Sequence, residues 1–312
     1  MSKLLVVTGA TGQQGGSVIT HVLSDPVLSK EYRIRAITRN TTSSSSLALS
    51  ARGIEVVAAD ITSPPSLAPA FANAHTIFAS TTTIYDGHTL SHEITHGRAL
   101  ADAAVSTHAQ RIIYSTLPNG GQISGGKYKE LGHFDGKAEV EAYIRTLPIK
   151  SAFVSPGCFM SNFHESMAPR PSRDGDGIYA WAGPMSPDTK LPLFDTAGDT
   201  GKWVAAILAD WDGYEGKVLN MATRLYSVSE VTEILQKVSG KTVRYHQVPA
   251  EVFRSFLPEL MAGHVTDMLL YFQDFGYWGP ETQGKVEWSV RQARGEVTSL
   301  EEYLAREPLK LA

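Results

Sequence analysis

The sequence predicts an α/β protein built on a doubly wound parallel sheet. Short apolar runs, each about the length of one buried strand, alternate about six times with helical stretches in the first half of the chain. Such alternation is typical of parallel sheets whose crossover connections are right-handed. The chain has 312 residues, of which 42% are hydrophobic and 19% charged, so it can bury a sizeable core.

The amino terminus, MSKLLVVTGATGQQGGS, combines a short strand, a glycine-rich turn and the start of a helix. Gly9 allows a sharp turn, Gly12 lets backbone N–H groups approach a pyrophosphate, and Gly15 lets the helix pack on the strand. The helix N-terminus then attracts phosphate groups. This order predicts a Rossmann-type fold; a glycine-rich turn without a ligand is the alternative. The cofactor-binding residues expected in this turn are Gly9, Thr11, Gly12, Gln13, Gln14 and Gly15.

Strands and helices follow one another regularly up to residue 154. Strands are predicted at residues 4–7, 33–38, 54–58, 75–80, 111–115 and 149–154. Helices are predicted at residues 17–23, 47–52, 66–73, 89–107 and 130–145. Polar loops are expected at residues 41–46 and 119–127.

The pattern changes after Pro156. Residues 165–200 are rich in Pro, Gly and Asp and have no long period, so we expect them to build a surface for a substrate or partner. Beyond them, helices are predicted at residues 200–209, 228–238, 250–260 and 265–275, and strands at residues 218–222 and 242–248. We therefore expect a Rossmann domain over residues 1–155 and a smaller α+β region over residues 156–312 packed on it, with the ligand cleft between them.

The end of the second strand indicates which dinucleotide binds. NAD-binding folds usually carry an Asp or Glu there, but this chain has Thr38, Arg39 and Asn40. An arginine attracts a 2′-phosphate and can hydrogen-bond it in a fork. The sequence therefore predicts NADP(H), with a solvated surface arginine as the alternative. Asp60, after the third strand, is placed to accept from an adenine amino group or to form a turn.

Composition disfavours several other classes of protein. The net charge of −4 and the pI near 6.2 give no reason to expect direct contact with a nucleic acid. With Cys158 as the single cysteine, no intrachain disulfide can form. No apolar stretch approaches bilayer length, and the first strand leaves no room for a signal peptide. We expect a soluble protein of the cytoplasm without a membrane partner, and the nucleus stays open as a second location.

Several segments together resemble the NmrA-like proteins, which are atypical members of the extended short-chain dehydrogenase/reductase group. They are TGATGQQGG in the first turn, TRN after the second strand, RIIYSTLPN at the fifth strand and HFDGKAEVEAYI in the helix that follows. The resemblance is good over roughly residues 3–162 and holds only in outline beyond them.

Catalytic members of the wider group use a Ser after the fifth strand and a Tyr-x-x-x-Lys on the next helix. The resemblance puts Ser115 at the serine position, Lys137 at the lysine position and His133 at the tyrosine position. It implies that Lys137 holds the nicotinamide ribose. A histidine can still move protons near neutral pH, so His133 is a candidate acid; a histidine that only lies beside the cofactor is the alternative. Tyr128 is a candidate replacement for the missing phenol.

Two further segments are expected along the cofactor. The chain passes the ribose after the fourth strand with Ser80, Thr81 and Thr82. By resemblance, Phe159 caps the nicotinamide ring, and Pro156 and Gly157 shape its carboxamide pocket. An ordinary strand exit and a core phenylalanine are the alternatives. Cys158 is either a redox-sensitive thiol beside the cofactor or an ordinary buried cysteine.

Residues 92–96, HEITH, match the H-E-x-x-H pattern of zinc proteases. A third ligand at the usual distance needs the helix to break, whereas residues 98–104 are strong helix formers. We therefore expect no metal site. His88, His92 and His96 are expected to form a polar stripe on the helix.

The resemblance implies an NADP(H)-binding regulator or redox sensor with a degenerate dehydrogenase site, whose further partner is a small molecule or a regulatory protein. The alternative is an NADPH-dependent reductase of a small carbonyl, imine or enone. A pure interaction scaffold is a third hypothesis and requires that no dinucleotide binds.

Overall fold

The computed structural model describes residues 2–172 and 175–311. Its strands are β1 (Lys3–Val7), β2 (Tyr32–Thr38), β3 (Glu55–Ala58), β4 (Thr76–Ala79), β5 (Arg111–Ser115), β6 (Lys150–Pro156), β7 (Cys158–Phe159), β8 (Arg170–Pro171), β9 (Tyr179–Gly183), β10 (Lys190–Phe194), β11 (Val218–Met221), β12 (Arg224–Ser227) and β13 (Val243–Gln247). Short 3₁₀ helices cover Pro64–Ser66 and Met160–His164.

The α-helices lie between and after these strands. They are α1 (Gln13–Ser24), α2 (Leu28–Glu31), α3 (Ser44–Ala51), α4 (Leu67–Phe71), α5 (Thr89–Ser106), α6 (Gly120–Ile123), α7 (Gly132–Ile144), α8 (Thr196–Ala209), α9 (Trp211–Tyr214), α10 (Val228–Ser239), α11 (Ala250–Arg254), α12 (Glu259–Phe275), α13 (Thr282–Val290) and α14 (Leu300–Arg306). No helix in the described part of the chain is both long and apolar enough to cross a membrane.

Seven parallel strands form the central sheet, in the order β11-β6-β5-β4-β1-β2-β3. The direction of winding reverses at β1, which pairs with β2 on one side and β4 on the other. Ligands of such sheets bind outside the carboxyl ends of the strands at this switch point. The predicted doubly wound, Rossmann-type fold is confirmed.

Helices cover both faces of the sheet because the strand side chains alternate between the faces. Leu5 and Val7 pack into a core that includes residues of α1 and α8, such as Ile19 and Trp203. Leu4 and Val6 face a second core, built with residues of α4, α5 and α7. Both faces of the sheet are therefore buried from solvent, which is why the strands are continuous apolar runs in the sequence.

The seventh strand comes from beyond the predicted boundary between the two regions. The strand expected at residues 218–222 is β11, which pairs with the edge of β6. Helix α8 also returns to the sheet and packs on α1, where the Gly201 N–H donates to Ser17 Oγ at 2.9 Å. The central sheet thus contains strands from both sides of the boundary predicted between residues 155 and 156. The division of the chain into two domains stays a prediction.

Residues 165–200 are more regular than expected. They contain β8, β9 and β10, which join two small sheets of three strands each, β12-β10-β7 and β13-β9-β8. These strands have two to five residues and are separated by Pro and Gly, so no long period marks them in the sequence. Arg173 and Asp174 lie outside the described residues.

Both predicted polar loops contain helical turns, held by side chains that cap them. Ser43 Oγ accepts from the Ser46 N–H and starts α3, and Asn119 accepts from the Gln122 N–H at the start of α6. At the carboxyl end of the chain, α14 begins with a capping box made by Ser299.

Candidate functional site

The glycine turn presses the start of α1 against the end of β1. Gly9 has a φ of +58°, and a Cβ there would lie 3.3 Å from Ser80 Oγ. A Cβ on Gly15 would lie 2.4 Å from the Gly9 carbonyl oxygen, so only glycine permits this approach. Gly12 is the N-cap of α1 and has no side chain to cover the first N–H groups of the helix. These groups and the helix dipole make an anion-binding corner.

A cleft of about 410 Å³ opens at the carboxyl ends of β1 to β4. Of the predicted cofactor residues, it is lined by Gly9, Thr11, Gly12, Arg39, Asp60, Ser80 and Thr82. It is also lined by residues that the sequence did not single out, among them Asn40, Ser43, Ile61, Ile84 and His96. All of these precede residue 97, so this cleft lies within the first region. The expected ligand cleft between the two regions stays a prediction.

One end of the cleft is positively polarised. Arg39 is exposed at the end of β2 and makes no side-chain hydrogen bond or ion pair within residues 2–172 and 175–311. Ser43, which also lines the cleft, is the N-cap of α3. A fixed guanidinium charge and a helix N-terminus therefore meet at this end, an arrangement that favours an anion.

Asp60 forms the predicted turn and also lines the cleft. Its Oδ1 accepts from the N–H and the hydroxyl of Thr62, both at 2.9 Å, which closes a turn. These hydrogen bonds, with the Arg39 charge, lower the pKa of Asp60 below its usual value. The carboxylate is therefore ionised at neutral pH, and it still lines the cleft.

Ser115 is tied to the glycine turn. It is buried at the end of β5, and its Oγ donates to Gln14 Oε1 at 2.9 Å. The neighbouring Gln13 donates to Ser161 Oγ at 3.3 Å, in the segment after β7. The two glutamines thus connect the start of α1 to β5 and to the segment that follows β7, but neither lines the cleft described above.

Lys137 lies in a buried network rather than on an open surface. Its Nζ donates to Glu93 Oε2 at 2.6 Å and to Thr81 Oγ1 at 2.5 Å. The hydroxyls of Thr81 and Thr83 donate to the same carboxylate. Burial lowers the pKa of Lys137, and the Glu93 charge opposes that shift. Thr81 therefore faces Lys137, whereas its neighbour Thr82 faces the cleft.

His133 lies one turn before Lys137 and is only 6% exposed. Its Nε2 is 3.4 Å from Met268 Sδ, and its Nδ1 is buried without a hydrogen-bond partner among the described residues. Burial, together with the nearby His264 and Lys137, lowers the pKa of His133 to about 3. The imidazole is therefore neutral at pH 7 and has no extra proton to give to a substrate.

Tyr128 is held away from this pair. Its hydroxyl donates to Asp274 Oδ2 at 2.6 Å, and burial with this hydrogen bond raises the pKa of Tyr128 well above its usual value. The phenol keeps its proton and is hydrogen-bonded to α12 through Asp274. It would have to break this bond to reach Lys137.

The segment after β6 packs into the molecule. The Pro156 carbonyl accepts from the Tyr277 hydroxyl at 2.8 Å, and the half-buried Phe159 ring meets Phe194 edge-on at 5.6 Å. Burial raises the pKa of Cys158 to about 12. The thiolate is the reactive form of cysteine, so this partly buried environment disfavours the redox-thiol hypothesis.

The HEITH residues point in different directions from α5. Glu93 turns inward to Lys137, while His92 Nε2 contacts Asp86 at 2.9 Å on the outside. The rings of His92 and His96 stack at 5.5 Å, and the buried His96 reaches the cleft. Within the described ranges, no three His, Cys, Asp or Glu residues are grouped so that they could hold a metal ion.

The model of the NmrA-like family matches residues 1–304. The chain belongs to the NmrA-like family. It is 27% identical, over the full length of both chains, to an NmrA-like family domain-containing protein of Dictyostelium discoideum. It is 30% identical over 279 residues to the NmrA-like family domain-containing oxidoreductase cpsB of Aspergillus campestris, which covers 83% of this chain and 80% of that protein. Over 162 residues it is 32% identical to the nitrogen metabolite repression protein nmr of Neurospora crassa, covering 50% and 33% of the two chains.

Solved structures of NmrA-like proteins and related reductases share the fold. The negative transcriptional regulator NmrA in complex with NADP matches 99% of this chain and 95% of its own, with a TM-score of 0.80 and 25% identity. The NADPH-dependent quinone oxidoreductase QOR2 of Escherichia coli, complexed with NADPH, matches 97% and 99% with a TM-score of 0.74 and 23% identity. The triphenylmethane reductase of a Citrobacter species, complexed with NADP(H), matches 98% and 99% with a TM-score of 0.74 and 24% identity. The last two matches concern the fold alone.

Proposed function

We propose that this NmrA-like protein binds NADP(H) in the cleft at the carboxyl ends of β1 to β4. The observation that carries the proposal is the pair of anion-attracting corners at that edge. The start of α1 suits a pyrophosphate, and Arg39 beside the start of α3 suits a 2′-phosphate. Asp60 lines the same cleft, where its carboxylate can accept from the adenine amino group. The NmrA regulator is complexed with NADP, and QOR2, which has a similar fold, is complexed with NADPH, which supports the same assignment.

The protein acts as a regulator that responds to the redox state of the dinucleotide. Support comes from the site that carries Tyr in catalytic relatives. His133 is buried and neutral there, and the Tyr128 hydroxyl is committed to Asp274. A nicotinamide cofactor supplies a hydride when bound, but reduction of a carbonyl also needs a proton donor. Neither side chain is arranged to donate one at neutral pH.

The other residues of the site then serve binding. Lys137 holds the nicotinamide ribose through its ammonium, and Ser115 fixes Gln14 at the start of α1. Phe159 and Pro156 line the nicotinamide end. The smaller α+β region over residues 156–312 carries the surface for a small molecule or a regulatory protein.

An NADPH-dependent reductase of a small carbonyl, imine or enone is the second candidate. Several NmrA-like relatives are named oxidoreductases, including cpsB at 30% identity. His133 and Lys137 also lie one turn apart on α7, so a bound substrate that brought water to His133 would restore a proton path.

The deciding experiment is a calorimetric titration of the purified protein with NADP⁺, NADPH, NAD⁺ and NADH. We expect both NADP forms to bind more tightly than the NAD forms. A regulator that senses redox state must also bind NADPH and NADP⁺ with affinities that differ by about tenfold or more, or about 1.4 kcal/mol.

Three results contradict parts of the proposal. Equal affinity for NADPH and NADP⁺ removes the physical basis of redox sensing and favours the reductase. Equal affinity for the NAD and NADP forms removes the role of Arg39. No binding of any dinucleotide rejects the proposal and leaves the interaction scaffold.

A further inference from the structure

Glu93 forms an ion pair with Lys137 between α5 and α7, and both oxygens of its carboxylate accept hydrogen bonds. The Glu93 residue is 1% exposed, and the Lys137 side chain is 10% exposed. One carboxylate oxygen accepts from Lys137 and Thr81, and the other accepts from Thr83 at 2.6 Å. Burying a carboxylate costs desolvation free energy. A buried network whose hydrogen bonds are all formed makes its members rigid and can fix a neighbouring group in place.

The two helices approach closely because glycine faces glutamate. Gly136 directly precedes Lys137, and a Cβ on it would lie 2.6 Å from the Glu93 Cβ. One turn further along, a Cβ on Gly97 would lie 2.5 Å from Val140 Cγ2. The backbone of α7 is thereby brought within reach of the short Glu93 side chain.

Within the described part of the chain, the hydrogen bonds of Lys137 leave one of its ammonium protons without a partner. The Thr81 hydroxyl has a single proton, which it gives to Glu93, so toward Lys137 it acts as the acceptor. Lys137 therefore uses two of its three N–H donors on fixed partners. The third N–H has a set direction, which is what a ligand of a ribose hydroxyl needs.

We propose that Glu93, assisted by Thr81 and Thr83, is the positioning residue that holds the Lys137 ammonium in place for the cofactor. The inference rests on the proposed binding of NADP(H), in which Lys137 holds the ribose. It also accounts for the glutamate of the HEITH segment without a metal ion. An ammonium buried without a counter-charge is strongly disfavoured, so the carboxylate keeps the lysine charged as well as oriented.

Few other charges surround the pair. Among the described residues, titratable groups that interact with the pair electrostatically include His133 on α7, His96 on α5, Tyr114 on β5 and Tyr85 in the loop after β4. Burial lowers the pKa of both histidines and raises the pKa of both tyrosines, so all four are neutral at pH 7. Glu93 is therefore the group whose charge controls Lys137.

The first test follows Lys137 in the protein without ligand. Lysines are labelled with carbon-13 at Cε, the Lys137 signal is assigned with a Lys137→Arg variant, and the signals are titrated between pH 6 and pH 11. We expect Glu93→Gln to move the Lys137 midpoint to lower pH by about one unit or more. An unchanged midpoint overturns the proposal.

The second test measures NADPH affinity over the same acid-to-alkaline range. Glu93→Gln is expected to weaken NADPH binding roughly tenfold at pH 8.5 and much less at pH 6. The reason is that Lys137 loses its proton at a lower pH in the variant than in the wild type. A merely structural role of Glu93 predicts a loss that does not depend on pH, and that result also overturns the proposal.

Two further variants keep the test decisive. Glu93→Asp retains the charge but retracts it by one methylene, so an intermediate midpoint and affinity are expected even where Glu93→Gln does not fold. A Glu93→Asp protein that matches the wild type in both measurements overturns the proposal. Glu141→Gln is the matched control. Glu141 lies on α7, the helix that carries Lys137, but it pairs with Arg145 instead, so both readouts should stay unchanged.

The outcome for NADP(H) binding is read separately. If the wild-type protein binds no NADP(H) but Glu93→Gln still lowers the Lys137 midpoint, the proposed function fails while the positioning of Lys137 by Glu93 is supported. If NADPH binds to the wild type and the Glu93 variants leave both readouts unchanged, only the positioning proposal fails.

Discussion

At the scale of single residues, we propose that the guanidinium of Arg39 sets a preference for the 2′-phosphorylated dinucleotide NADP(H). It lines the cleft without a protein hydrogen-bond partner in the described residues, so its donors are available to a ligand. We expect Arg39→Ala to weaken NADPH binding by about 2 kcal/mol, or roughly 30-fold, because a charge-assisted hydrogen bond to phosphate is lost. NADH binding should change little. Calorimetry at constant ionic strength measures both.

The control for this prediction is Arg33→Ala. Arg33 lies on β2, the strand that Arg39 follows, and its exposed side chain pairs with Glu55 at 3.9 Å. Its loss should leave both affinities as they are. Equal losses of NADPH and NADH affinity in Arg39→Ala would show that the arginine serves the structure of the cleft rather than the 2′-phosphate.

His133 should make the protein sensitive to acid. Its pKa is about 3 in the folded protein and about 6.5 in the unfolded chain, so between these values the unfolded chain binds the extra proton. Stability from this group is therefore complete above about pH 6.5 and is lost as the pH falls toward 3. Between pH 7 and pH 5 the free energy of unfolding should fall by about 2 kcal/mol more in the wild type than in His133→Leu.

Urea unfolding at several pH values checks this difference. His88→Gln is the control, because His88 is exposed at the start of α5 and its replacement should keep the wild-type pH dependence. If His133→Leu loses stability with acid as steeply as the wild type, His133 is not the neutral, buried group described above.

At the scale of elements, two adjacent glycines in α1 should respond in opposite ways to the same substitution. A Cβ on Gly15 would meet the backbone of Gly9 and Ala10 at 2.4 to 2.9 Å, whereas on Gly16 its nearest neighbour is 3.7 Å away. Gly15→Ala must push α1 off β1, with an expected loss of about 1–3 kcal/mol and weaker NADPH binding. Gly16→Ala should instead stabilise the helix by up to about 1 kcal/mol.

Thermal and urea unfolding of the two variants measures the contrast, and NADPH titration shows whether the anion-binding corner moves. Because both variants add the same methyl group to the same helix, each serves as the control for the other. Similar stability in the two variants would mean that the turn can relax and that Gly15 is not required for the close packing.

Regular elements could be predicted because their signals are local. The strands of the central sheet are apolar runs, and the helices between them carry apolar stripes, so both were found to within a few residues. The small strands β8, β9 and β10 were missed because they are short and interrupted by Pro and Gly. The α14 helix, which the sequence analysis does not predict, does carry a local signal, the capping box from Ser299 to Glu302.

The site was predictable only where position along the fold implies position in space. Arg39 and Asp60 follow strands of a parallel sheet, whose carboxyl ends meet at one edge, and both line the cleft. The partnership of Glu93 with Lys137 spans 44 residues and has no local pattern. Likewise, the burial of His133 depends on α12, which carries Met268, and nothing in residues near His133 indicates it.

At the scale of the whole molecule, the fold does not separate a regulator from a reductase. The NmrA regulator and two reductases have TM-scores between 0.74 and 0.80 with this chain. What can separate them is the protonation and contacts of a few side chains at the same edge of the sheet. The neutral His133 and the hydrogen bond of Tyr128 to Asp274 are therefore stronger support for the proposed regulator than overall similarity of fold is.

We expect that the first region does not fold without the second. The β11 strand covers the edge of β6, and α8 covers α1 with Trp203 fully buried. The buried Asp199 of α8 binds Lys202 and the Thr298 N–H, and Arg306 of α14 pairs with Asp195 at the start of α8. The carboxyl end of the chain thus holds α8 against the sheet.

A fragment of residues 1–155 should therefore lack a cooperative unfolding transition, because removing α8 and β11 exposes the apolar surface of α1 and the unpaired edge of β6. The intact chain should unfold in a single transition in which circular dichroism and tryptophan fluorescence coincide. Calorimetry and NADPH titration of the fragment and the intact chain test this. If the fragment melted cooperatively and bound NADPH with the affinity of the intact chain, residues 1–155 would be an autonomous domain, and β11 and α8 would be additions to a sheet already stable without them. The structure predicts the opposite, since Ile19 and Val154 lie in the same core as Trp203 and Leu219.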